Sequence, residues 1–134
     1  MPPFAVAYAG SAILLLALDV LWLTLAVPRL YRPLLGDLLA EQPNLAIGGV
    51  FYLVYVIGIV VFAVLPALEA RSWLHAAGFG ALLGLVAYGT YDITNLSTLR
   101  NWPLALSLVD LSWGIAVSAA AALSGYLAVR WFAG

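Results

Sequence analysis

Four apolar runs decide what this chain can become. They cover Phe4–Val27, Leu45–Leu68, Trp73–Leu96 and Leu104–Phe132, and about 20 predominantly apolar residues suffice to carry a helix across the hydrocarbon of a bilayer. In lipid every backbone N–H and C=O must find a partner within its own segment, so an open sheet is excluded and helix is the assignment. The sequence predicts an all-α fold: an integral membrane four-helix transmembrane bundle, forming a single domain over residues 1–134.

Composition supports that reading. Of 134 residues, 66% are hydrophobic and 8% charged, against about 25% charged in soluble domains. A soluble domain of this size could not hide so much apolar surface; a lipid bilayer is the expected partner. Net charge is −1, with five arginines and no lysine. That leaves no basic stripe, and nucleic acid is not expected as a partner. The absence of cysteine excludes disulfide and thiolate chemistry. His75 is the sole histidine, near Arg71 and Trp73, where an interfacial position is expected. No His/Cys cluster supports a metal site, no cofactor is expected, and the serines lack a histidine suited to nucleophilic catalysis. The first 27 residues lack the positive start of a signal peptide and are read as a retained helix.

Proline marks the ends of the runs. Pro28 is expected to end the first, Pro66 lies near the end of the second, and Pro103 opens the fourth. The one long connection is PRLYRPLLGDLLAEQPN, residues 28–44. Within it Tyr31, Leu34, Leu35, Leu38 and Leu39 share a helical face, which predicts a short interfacial helix between helices 1 and 2; an ordinary loop is the alternative. Four passes put both termini and the 69–72 turn on one side of the membrane, side A, and residues 28–44 and 97–103 on side B. Arg29, Arg32 and Arg100 fall on side B against Arg71 and Arg130 on side A, which leans towards side B in the cytoplasm.

The acids are the informative residues. Asp37, Glu41 and Glu69 lie in connections, but Asp19, Asp92 and Asp110 lie inside apolar runs. A charged aspartate at the centre of a spanning helix costs about 2.5–3.5 kcal/mol on insertion scales, and such residues face the bundle interior. Counted from Pro28, Arg100 and Pro103, and at the helical rise of 1.5 Å per residue, the three acids stand roughly 10–14 Å from the side B boundary. Alternating helix direction gathers distant sequence positions into one layer.

Local patterns surround that layer. LDVLWL sets Asp19 three residues before Trp22, and VDLSWG sets Asp110 three before Trp113, so each indole is expected beside its own helix's carboxyl group. Tyr88, Asp92 and Asn95 share a face of the third run, with Tyr91 adjoining, and Asn44, Tyr52 and Tyr55 approach from the second. These residues predict a polar pocket open to side B, its charge tuned by Arg100. The alternative is a polar clamp that holds helices in register, pairing Asp92 with Arg100 and Asn95, or Asp19 with Arg29. Gly80 and Gly84 form a GxxxG pair that marks close helix packing or a dimer face.

LDVLWL, QPNLAIGGVFYLVY, GLVAYGTYDITNLSTLRNWP and VDLSWG together resemble a bacterial family of small integral membrane proteins, domain of unknown function 2177, from about Phe4 to Phe132. The resemblance implies a multi-pass protein of the bacterial cytoplasmic (inner) membrane and supplies no catalytic residues. From the residues themselves, the expected function is binding or translocation of a small solute or proton at the three aspartates. That role calls for a homodimer or a larger membrane complex, four helices being few for a complete path. The rival expectations are an intramembrane enzyme acting on a lipid or apolar small molecule, and a structural partner in an assembly.

Overall fold

The computed structural model describes residues 2–133. Among them are four helices long and apolar enough to cross a membrane: α1 Pro3–Leu38, α2 Leu45–Ala70, α3 Trp73–Thr98 and α4 Leu104–Phe132. No strand occurs among the described residues. α4 is the central helix; it packs along α3 and, on another face, along α1, while α2 leans on all three.

α1 does not end at Pro28. The helix runs on to Leu38 through a single widened π turn at Val27–Tyr31, and α2 contains a second π turn at Val60–Val64. Both turns occupy the same place relative to a proline: they begin six residues before Pro33 or Pro66 and end two before it. A proline in a helix lacks an N–H and pushes on the carbonyl four residues back. Here the residue just ahead of each proline donates five residues back, Arg32 N–H to Val27 O and Leu65 N–H to Val60 O. The wider turn makes room for the ring and keeps the helix continuous.

The segment expected as a separate interfacial helix is therefore the last part of α1. It closes in a tight turn at Gly36–Leu38, where Gly36 takes φ 55°, a value that favours glycine. At the opposite side, α2 ends in a reversal with Arg71 in the left-handed region. Ser72 N–H reaches Ala67 O at 3.1 Å and Arg71 N–H reaches Leu68 O at 3.3 Å, the bonding pattern of a Schellman turn. The Ser72 hydroxyl then caps α3 by accepting from His75 N–H at 3.2 Å.

Small residues let the helices touch backbone to backbone. A Cβ on Gly84 would meet the Gly114 carbonyl of α4, and one on Gly80 would meet Ala122 Cβ and the Ser118 carbonyl at 2.7 Å. The Gly80/Gly84 pair thus serves packing within the chain. Hydroxyls bond across the α1–α4 contact, buried Ser11 Oγ to Ala121 O at 2.9 Å and part-buried Ser124 Oγ to Gly10 O at 3.0 Å, as expected where lipid gives helices no hydrophobic reason to associate. The outer faces carry exposed Leu21, Ile47, Phe62 and Trp131, a surface suited to hydrocarbon.

α2 joins the bundle unevenly. Its second half contributes the buried Ile59, Val60, Ala63 and Val64, while every residue from Leu45 to Phe51 is exposed. α2 and α3 meet around Val60–Val64 and have little contact nearer the start of α2. They diverge towards side B.

Candidate functional site

That divergence leaves a cleft of about 650 Å³. α1 contributes Leu15 and Asp19, α2 Gly48, Phe51, Tyr52 and Tyr55, α3 Ala87, Tyr88, Thr90 and Tyr91, and α4 Asp110. Tyrosine hydroxyls fix the α2 wall: Tyr8 Oη donates to Leu53 O at 3.1 Å, Tyr52 Oη to Leu15 O at 2.8 Å, and Tyr55 Oη pairs with Ser118 Oγ at 2.6 Å. The Tyr55 and Tyr88 rings meet edge to face across the cleft, centroids 6.4 Å apart. The walls are mostly apolar and aromatic, with the carboxyl groups as the charged features, the usual make-up of a small-molecule site.

The carboxyl groups are held by a crossed arrangement. Trp113 Nε1 donates to Asp19 Oδ1 at 3.2 Å, so the indole of α4 serves the acid of α1. Trp22 Nε1 donates to Tyr31 Oη at 3.0 Å, and Tyr31 Oη donates in turn to Asp110 Oδ1. The indole of α1 thereby reaches the acid of α4 through a tyrosine. Between them Trp22 and Trp113 stack, centroids 4.6 Å apart and planes 7° from parallel. The sequence reading put each indole beside the acid of its own helix; the structure exchanges the partners. Residues three apart share a face, and that face here is the α1–α4 contact: Trp113 finds its acceptor on the other helix, while Trp22 bonds Tyr31 of its own helix and reaches Asp110 through it.

Asp92 lies behind the cleft. It is fully buried, and neither carboxyl oxygen has a hydrogen-bond donor. Asp110 of α4 is the acid that neighbours it, so the two carboxyl groups bring like charge to one place. The roof on side B is Trp102, whose Nε1 donates to Ser107 Oγ at 2.9 Å; Ser107 Oγ donates to the Asp92 carbonyl at 2.8 Å. Tyr91 meets Trp102 edge to face at 5.9 Å.

Of the residues singled out in the sequence, Asp19, Tyr88, Tyr91 and Asp110 line the cleft, and Asp92, Trp22 and Trp113 adjoin those acids. Asn95 and Arg100 stand apart. Arg100 is exposed in the turn after α3, and with both Asp92 oxygens lacking a donor, the Asp92–Arg100 clamp does not form. Arg29 is likewise exposed, and the bond to Asp19 comes from Trp113. Sequence reasoning missed Tyr31 as a partner of Asp110, because it placed that residue beyond the end of α1. Trp102 and Ser107 were missed as the roof over Asp92; no spacing signal links them to it.

Tyr31 carries the greatest load among these contacts. Tyr31→Phe leaves Asp110 without its donor and Trp22 without its acceptor, both part-buried. It is expected to destabilise the bundle by about 1–3 kcal/mol, read as a lower thermal unfolding midpoint in detergent. An unchanged midpoint would show that water replaces the hydroxyl at no cost.

Fold and site together define a multi-pass membrane bundle with carboxyl groups gathered between its helices. The family model described as predicted membrane protein (DUF2177) matches residues 4–127, and the chain belongs to that family. No curated protein and no solved structure matches the chain.

Proposed function

We propose that this protein binds a small solute in the cleft between α2 and α3, with Asp19 and Asp110 as its polar anchors and Asp92 as a third, buried acid behind them. One observation carries the reading: carboxyl groups from two helices face one cleft while a third, fully buried and without a donor, lies behind it. A bundle that needed only to hold together would gain nothing from Asp92, since an unpaired buried polar group is a net cost. Asp19 and Asp110 also clamp α1 to α4 through Trp113 and Tyr31, which favours a structural role for those two bonds; that role leaves Asp92 unexplained. In this reading the solute enters within the bacterial inner membrane, and transfer across it would call on a second copy or a larger complex.

The test is direct. Small molecules carried through purification are extracted from the wild type and from the Asp19→Asn/Asp110→Asn double variant, then compared by mass spectrometry. A species present in the wild type and depleted in the variant is expected. Asparagine keeps an acceptor for Trp113 and for Tyr31, so the variant is expected to fold. An identical complement of bound molecules in a folded variant would remove the proposal.

A further inference from the structure

The charge balance of the cleft narrows the solute class. Asp19 and Asp110 face it from two adjacent helices, α1 and α4, and Asp110 is 8% exposed with a single donor, Tyr31, on one oxygen. Asp92, wholly buried and without a donor, adds a third acid beside Asp110. No positive side chain answers them. The chain has no lysine, and Arg29, Arg32, Arg71, Arg100 and Arg130 are all exposed. An apolar recess with carboxylates and no cation among the described residues is complementary to a cation brought from outside. The remaining walls reinforce this choice. Tyr52, Tyr55, Tyr88 and Tyr91 present aromatic surface, and ring faces attract cations, most strongly where water is excluded.

The mouth of the cleft selects how that cation arrives. Gly48, Phe51, Thr90 and Tyr91 at its edge are exposed, and they lie on the diverging flanks of α2 and α3, which face lipid. A Cβ on Gly48 would meet nothing within 4 Å, so this flank of α2 is open. A volume of about 650 Å³ lies within the range of roughly 300–1,000 Å³ typical of small-molecule sites.

We infer that the cleft takes a membrane-dissolved organic monocation, its positive centre between Asp19 and Asp110 and its apolar substituents against the tyrosines of α2 and α3. This rests on the solute-binding reading given above and adds the charge of the solute and its route of entry.

A pair of probes alike in shape and opposite in charge tests it. Binding of tetraphenylphosphonium and of tetraphenylborate to the full-length protein in detergent is measured by equilibrium dialysis. Saturable binding of the cation is expected, with the anion about ten-fold weaker or worse. Asp19→Asn, which keeps the Trp113 bond, is expected to weaken the cation by about ten-fold. Gly48→Leu, whose Cβ meets nothing within 4 Å and whose added bulk stands at the edge of the cleft, is expected to weaken both ions. Equal affinity for the two ions, or no saturable binding of the cation, overturns the inference. The extraction experiment above separates the two levels: a solute lost with Asp19 and Asp110 that carries no positive charge leaves the binding reading standing and removes this one.

Discussion

Gly84→Val is expected to abolish the folded bundle. The Cβ of any residue at position 84 would run into the Gly114 carbonyl of α4 and approach Ile115 Cα at 2.9 Å. The obstacle is backbone, so no rotamer change can relieve it and the two central helices would have to separate. Overpacking typically costs about 1–3 kcal/mol where side chains can adjust; here more than about 3 kcal/mol is expected. The measurement is the yield of monodisperse protein in detergent, with the thermal midpoint of whatever folds. Gly48→Ala is the matched control: the added methyl touches nothing within 4 Å, and alanine favours helix by about 1 kcal/mol over glycine. It is expected to fold as well as the wild type or better. Similar behaviour of the two variants would mean that α3 and α4 are not in the close contact described.

Asp92→Leu is expected to act with the opposite sign, raising stability by about 1–3 kcal/mol while depleting the bound solute. Both carboxyl oxygens of Asp92 are buried without a donor, so an apolar side chain of similar reach removes an unmet desolvation penalty. The bond from Ser107 is to the Asp92 backbone carbonyl and survives the change. Asp110→Leu provides the contrast. It leaves the Tyr31 hydroxyl without its acceptor and is expected to lower stability. Thermal unfolding of the two variants side by side decides the matter. If Asp92→Leu melted well below the wild type, Asp92 would be a stabilising contact and the case for a functional acid would weaken.

The four spans were legible because hydropathy and helix length are properties of local sequence. The runs read as Leu45–Leu68 and Trp73–Leu96 become Leu45–Ala70 and Trp73–Thr98, and the fourth, Leu104–Phe132, is unchanged. The first run was read short. Proline rules say that Pro28 ends a helix, but the helix runs through it and through the π turn that accommodates Pro33, and continues to Leu38. That continuation brings Tyr31 back over α1 to Asp110, which is why the tyrosine was missed. Spacing placed Tyr88 and Asp92 on one helical face; it did not say that Tyr88 lines the cleft while Asp92 is sealed behind it under Ser107 and Trp102.

By itself the amino-acid sequence determined that this is a membrane bundle of four helices with three acids inside its apolar runs, and it led to the expectation that they share a height. The rise per residue is fixed, and successive spans alternate in direction. Tertiary structure alone decided which groups those acids meet: Trp113 for Asp19, Tyr31 for Asp110, and for Asp92 no donor among the described residues. Partner choice depends on how each helix is rotated and where it bends, and those are settled by glycine contacts and proline-induced π turns acting between helices.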